Sequence, residues 1–280
     1  MNLNCLTGNT PLVQISDNVY GKLETYNPTG SVKDRMVFYV IEDALKRGLI
    51  NQQTILCEAT SGNTGISLSS IAANLGMKCV IFMPENMSEE RKKMMRVFGS
   101  RLFFSGPSDF AGAIQMRDEF IEMNPNCWSP MQFSNPINVE CHENVTAPEI
   151  HAQVGDDWVA FVHGAGTGGT MMGVKNYIDS HDLNVDTYLV APKEELHGIQ
   201  GINDGADFLL DRKKMTGIIE IATDDAIERA KSFAKETGVL VGISSGANIL
   251  ASEHLSSRVD NKKVIVTMLC DRGERYMSIY

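Results

Sequence analysis

The sequence has 280 residues, 43% of them hydrophobic, which suits one large domain or two modest ones with a substantial core. Its formal net charge of −10 and pI of about 5.1 leave no electrostatic footprint for nucleic acid, and no run of about 18 apolar residues exists to span a membrane. The six cysteines (Cys5, Cys57, Cys79, Cys127, Cys141, Cys270) form no C-x-x-C pair, as expected of free thiols in a reducing cytoplasm, and the first residues lack the basic-then-apolar pattern of a signal peptide.

In chain order, strands are expected at 11–15, 19–25, 54–58, 78–83, 101–105, 158–163, 187–191, 217–221, 239–243 and 263–269. Helices are expected at 31–47, 63–75, 88–98, 108–123, 147–154, 169–181, 223–236 and 246–257. Gly48, Gly76, Gly99 and Gly238 each follow a helical pattern, as a glycine just past a helix end should. Alternation of strand and helix implies parallel sheets covered by helices on both faces. The nearly continuous Cys79-Val80-Ile81-Phe82-Met83 reads as a buried parallel strand. The Asn- and Pro-rich 133–143 reads as a seam between two α/β halves, and the polar 192–214 as a lid.

Four stretches carry chemistry. The first is Asn27-Pro28-Thr29-Gly30-Ser31-Val32-Lys33-Asp34-Arg35. Ser31 is expected to cap the helix that follows, which puts Lys33 in the first turn, where the helix dipole disfavours an ammonium. Lys33 is then either a solvated helix-start lysine or a nucleophilic amine. The second is Glu58-Ala59-Thr60-Ser61-Gly62-Asn63-Thr64-Gly65, leaving a strand and entering a helix. Its hydroxyls, amide and helix N-terminus suit a carboxylate or phosphate, although an ordinary capping turn uses the same residues.

The third, His163-Gly164-Ala165-Gly166-Thr167-Gly168-Gly169-Thr170, is another strand-to-helix turn. It fits the letters of a dinucleotide fingerprint, but the next strand ends without the acid that would bind a ribose, so a cup for one phosphate group is the better reading. The fourth is Gly242-Ile243-Ser244-Ser245-Gly246-Ala247, a polar junction or a simple helix cap. No metal-ligand spacing and no nucleophile elbow is present, so neither a metal site nor a hydrolase triad is expected.

In order and spacing, these four motifs resemble the cysteine synthase (O-acetylserine sulfhydrylase) family, over essentially the whole chain. Cys270-Asp271-Arg272-Gly273-Glu274-Arg275-Tyr276 is similar to its B-type branch, and Gln132-Phe133-Ser134-Asn135-Pro136 to its A-type. The resemblance implies an α/β fold of type II, with two domains, each a mostly parallel twisted sheet flanked by helices, and pyridoxal 5′-phosphate in the cleft between them. The large domain is expected at 1–34 plus 140–280 and the small, mobile, substrate-binding one at 35–139. A cytoplasmic homodimer is implied.

By the same resemblance, Lys33 is the lysine that holds the cofactor covalently and moves the substrate's α-proton. Asn63 bonds the ring hydroxyl oxygen, Gly166, Thr167, Gly168, Gly169 and Thr170 form the phosphate cup, and Ser244 faces the pyridine nitrogen. Thr60, Ser61, Thr64 and Gln132 hold the substrate carboxylate. The implied reaction is β-replacement on an activated L-serine of the O-acetylserine type by sulfide, giving L-cysteine through an aminoacrylate. The alternative is a cysteine or serine β-lyase releasing hydrogen sulfide or water. The segment 198–204 lacks the arginines that B-type enzymes place there, which argues against thiosulfate as donor. Asp204 and Asp207 are unexpected acids in the lid region, candidates for an accessory base or solvated loop residues.

Overall fold

A computed structural model describes residues 3–202 and 207–280. In chain order the elements are β1 Leu12–Ser16, β2 Val19–Leu23, α1 Lys33–Lys46, β3 Ile55–Ala59, α2 Asn63–Leu75, β4 Lys78–Pro84, α3 Glu89–Val97, β5 Arg101–Ser105, α4 Phe110–Met123 and β6 Cys127–Trp128. They continue with α5 Ile137–Cys141, a π-helical turn at His142–Thr146, α6 Ala147–Val154, β7 Trp158–Gly164, α7 Gly169–Ser180, β8 Asp186–Pro192, β9 Gly217–Ile221, α8 Thr223–Thr237, α9 Ile243–Ser256 and β10 Val264–Leu269. The chain forms two compact units. One is Met1–Thr7 with Asn27–Asn135, and the other is Gly8–Tyr26 with Pro136–Tyr280.

The first unit carries a four-stranded parallel sheet in the order β5-β4-β3-β6. Cys57, Ala59, Val80 and Phe82 pack under α4 through Ala113, Ile114, Phe120 and Ile121. The β3 strand is buried because helices cover both faces of the sheet, as parallel strands require. Asn27–Asp34, which the sequence division places with the large domain, clusters here, where Asp34 accepts a hydrogen bond from Ser67 of α2.

The second unit carries a six-stranded sheet in the order β1-β2-β10-β7-β8-β9, parallel except for the β1–β2 pair. Val162, Val190, Ile265 and Ile243 belong to its core. Gly48, Gly76, Gly99 and Gly238 take φ of +68°, +68°, +89° and +73°, the left-handed closure expected after a helix.

Three local expectations are corrected. Residues 239–243 form no strand: β10 already has β2 and β7 on its two sides, so the segment makes a single bridge, Val241 to Arg272, and α9 begins at Ile243. Residues 137–146 are helical rather than irregular, while the division between the two units does fall inside the expected seam, between Asn135 and Pro136. Ser31 does not cap α1: Val32 holds the cap position with no side-chain bond, and the buried Ser31 hydroxyl makes no hydrogen bond among the described residues, while the Ser31 carbonyl accepts from the Asp34 N–H (3.2 Å) and the Asn27 amide (3.1 Å).

Candidate active site

The first unit positions Lys33 through its neighbours. The Gly30 N–H reaches back to the Asn27 carbonyl (2.8 Å), and Gly30 itself, at φ +82°, redirects the chain toward α1. Asp34 then clamps the turn: its carboxylate accepts from the Thr29 N–H (2.7 Å) and hydroxyl and from the Ser67 hydroxyl (2.5 Å). Met36, Val37, Val40 and Ile41 are buried and root α1 in the unit. Lys33 is thus the first residue of a fixed helix, following a loop tied to α2.

The turn expected to hold an anion lies where β3 ends and α2 begins, the usual ligand edge of a parallel sheet. The Thr60 hydroxyl accepts from the Gly62 N–H (3.1 Å). Asn63 opens α2, and Ser61 is exposed while Thr60 and Thr64 are buried. Gln132 arrives from β6. Its side chain accepts from the Thr64 hydroxyl (2.7 Å) and donates to the Ala59 carbonyl (3.0 Å). Met131, just before it, sits at φ +53°, a left-handed conformation uncommon for a non-glycine residue. Thr60, Ser61, Asn63 and Thr64 therefore share one turn, against which Gln132 docks through Thr64 and the Ala59 carbonyl.

Beneath that turn lies a buried ion pair that sequence reasoning missed. Glu58 is fully enclosed; its Oε1 accepts from Arg117 Nη1 (2.9 Å) and the Ala59 N–H (2.8 Å), and its Oε2 from the Gln132 N–H (3.0 Å). Burial pushes the Glu58 carboxyl up, while Arg117 and the two N–H groups oppose it. Both oxygens face donors, which is the environment of a carboxylate rather than an acid. Nothing in the letter pattern pairs residue 58 with residue 117; only the packing of α4 on β3 does.

In the second unit β7 runs into the glycine turn. A Cβ on Gly166 would lie 2.6 Å from the Gly201 carbonyl oxygen, and one on Gly169 would collide with the Asn138 amide. Gly168 has φ +89° and would bring a Cβ within 2.5 Å of the Leu210 nitrogen. The backbone is bare by necessity, and the first turn of α7 presents N–H groups without intrahelical acceptors. The Thr167 hydroxyl accepts from the Gly169 N–H (3.2 Å) and from the Asn138 amide (3.1 Å). His142 shares hydrogen bonds with Thr170 (3.2 Å) and Thr146 (2.9 Å). Asn138 and His142 come from the stretch expected to be a seam; its π turn, a feature frequent at functional sites, aims His142 at α7.

Ser244 is buried in the first turn of α9, with its hydroxyl 3.6 Å from where a Cβ on Gly201 would stand. Asp207 is exposed and paired with Arg212 Nε at 2.5 Å. Asp204 lies outside the described residues. Among the described residues no group of three metal-ligating side chains occurs, and no helix is long and apolar enough to cross a membrane.

The bare-backbone cup, with two hydroxyls and a helix N-terminus, fits a phosphate monoester, the anchoring group of pyridoxal phosphate. Comparison with known proteins points the same way. The chain is 41% identical to cysteine synthase B of Campylobacter jejuni, with 98% of this chain and 95% of the relative covered. Its structure is similar to that of an O-acetylserine dependent cystathionine beta-synthase from Helicobacter pylori (TM-score 0.94, 31% identity, 99% and 97% of the two chains). It is also similar to a hydrogen sulfide-producing enzyme from Fusobacterium nucleatum (TM-score 0.93, 33% identity, 99% of each chain). The family described as pyridoxal-phosphate dependent enzyme matches residues 4–271, and with nearly the whole chain matched, the protein belongs to that family.

Proposed function

We propose that this enzyme catalyses β-replacement on an activated L-serine of the O-acetylserine type, with sulfide as nucleophile and L-cysteine as product. The observation that carries the reading is the anion turn of the first unit, where Thr64 and Gln132 are locked to each other beside Thr60 and Ser61. A turn of that size suits an amino-acid carboxylate. The 41% identity to a cysteine synthase B supports the choice of substrate.

Lys33 is assigned as the residue that binds the cofactor covalently and, once displaced, accepts the substrate's α-proton on Nζ. Asn63 is assigned to the ring hydroxyl oxygen. In the second unit, Gly166, Thr167, Gly168, Gly169 and Thr170 are assigned to the phosphate, with Asn138 and His142 holding the two threonine hydroxyls in place. Ser244 is assigned to the pyridine nitrogen; a neutral hydroxyl there leaves that nitrogen largely unprotonated. Pyridoxal phosphate, when bound, supplies the electron sink for the pair left at the α-carbon. Thr60, Ser61, Thr64 and Gln132 orient the substrate through its carboxylate, which fixes the Cα–H bond before proton transfer. Asp207 is a candidate to accept a proton from the incoming nucleophile. A cytoplasmic homodimer is part of the reading.

Likeness to a hydrogen sulfide-producing enzyme supports a second reading: β-elimination from cysteine or serine by the same residues. The two are separated by kcat/KM for O-acetylserine with sulfide against kcat/KM for L-cysteine alone. Far better turnover of L-cysteine or L-serine would overturn the synthetic assignment.

A further inference from the structure

We propose that Cys57 and Cys127 are a site of reversible oxidation, joined as a disulfide when the protein meets a peroxide. The two residues stand on neighbouring parallel strands: β3 pairs with β6 through Ile55–Cys127 and Leu56–Trp128, so Cys57 and Cys127 share a face of the sheet. Their sulfurs share a hydrogen bond at 3.0 Å. Closing to a bond asks the sulfurs to approach by about 1 Å; Cys127 is in register with Ile55, so Cys57 is its diagonal neighbour and the approach draws on a small shift of β6 along β3 as well as side-chain rotation. Both thiols are reduced, Cys57 fully buried and Cys127 partly accessible.

The pair divides the labour of oxidation. The hydrogen bond with Cys127, then burial, push the Cys57 thiol far up, so Cys57 keeps its proton. The same hydrogen bond holds Cys127 below the ordinary thiol value, so the accessible sulfur is the more readily ionised of the two. The Cys127 thiolate attacks hydrogen peroxide, the O–O bond breaks, and Cys127 becomes a sulfenic acid with release of water once protons are counted. The Cys57 sulfur then attacks Cys127, expelling a second water and leaving the disulfide. Two thiols lose two electrons and two protons to one peroxide. Cys79, in contrast, is buried with its thiol pushed up to about 11, and is not poised to take part.

The position has a consequence for catalysis, and this part rests on the proposed function. Residue 57 precedes Glu58, the acceptor for the Gln132 N–H, and β3 runs on into Thr60. Cys127 lies on β6, five residues before Gln132. The disulfide would therefore cross-link the two strands that deliver the two sides of the anion turn. Oxidation is expected to raise KM for the amino-acid substrate several-fold.

The test uses the holoenzyme carrying Cys5→Ser, which removes the exposed thiol, treated with stoichiometric hydrogen peroxide. The expected result is a loss of about 2 Da and a linked peptide pair containing Cys57 and Cys127, both reversed by dithiothreitol. In Cys57→Ser the reaction should stop at a dimedone-reactive Cys127. Persistence of both thiols, or sulfinic acid at Cys127 with Cys57 still reduced, overturns the proposal. These readouts need no activity, so they stand whether or not the enzyme proves to be a synthase. A protein that holds the disulfide with unchanged KM overturns the link to the anion turn.

Discussion

Replacing Arg117 with Met tests the support beneath the anion turn. Arg117 and Glu58 are both buried, and the variant removes the 2.9 Å contact while roughly preserving volume. Breaking one side of a buried, hydrogen-bonded pair costs about 3–5 kcal/mol, because the remaining charge is left uncompensated. The cost has a pH signature. Glu58 is already held above the ordinary carboxylate value by burial, and losing Arg117 raises it further. A carboxyl whose folded pKa lies above its unfolded one favours folding while it is protonated. That stability is fully present below the unfolded pKa and is lost as pH rises through the folded one.

The deficit of Arg117→Met should therefore be small near pH 4 and reach its full size at neutral pH. It is read from urea midpoints of wild type and variant across that range. Without Arg117 the Glu58 carboxyl that accepts from the Gln132 N–H is no longer held in place, so KM for the amino acid should rise about 10-fold, or about 1.4 kcal/mol, with kcat largely retained. The double variant Glu58→Gln/Arg117→Met should recover much of the stability, since neither charge remains buried. A deficit that does not change with pH, or one under about 1 kcal/mol, would refute the reasoning.

Other outcomes follow from the same geometry. Lys33→Ala should yield a folded, colourless protein without β-replacement activity; a purified variant that keeps a cofactor absorbance band stable to dialysis contradicts the assignment. Gly168→Ala, at φ +89° and against the Leu210 nitrogen, should weaken pyridoxal phosphate binding at least 10-fold (about 1.4 kcal/mol) in a fluorescence titration, and an unchanged Kd would remove the cup from the phosphate. Gln132→Ala should raise KM more than it lowers kcat, because it strips the partner of Thr64. Asp207→Asn should shift the preference between water and thiol nucleophiles if the carboxylate acts as a base; an unchanged preference leaves Asp207 as the surface partner of Arg212.

The parts of this molecule legible beforehand are those in which a local rule acts alone. The glycine turn at 166–169 needs bare backbone wherever it sits, and the glycines after helices need left-handed φ regardless of what surrounds them. Lys33 at a helix start was readable for the same reason, although its anchoring was not. Asp34, rather than Ser31, organises that turn, because its carboxylate reaches forward to Ser67 on another helix. The stretch around Asn138 and His142 looked irregular because Asn and Pro are poor helix formers. It folds as a helix with a π turn since its polar side chains bond to Thr167 and Thr170 on α7.

Residues 239–243 show the opposite error. Their letters suit a strand, but strand formation needs a free ladder partner, and β2 and β7 already occupy both sides of β10. The same limit hid Glu58–Arg117 and Cys57–Cys127, 59 and 70 positions apart in the chain. Periodicity, turn chemistry and motif spacing are properties of neighbours along the chain, so the sequence by itself determined the alternation of elements, the two strand-to-helix turns and the lysine at a helix start. Which carboxylate is buried against which guanidinium, and which two thiols meet, depends on how α4 and β6 pack on β3, and only the tertiary structure decided it.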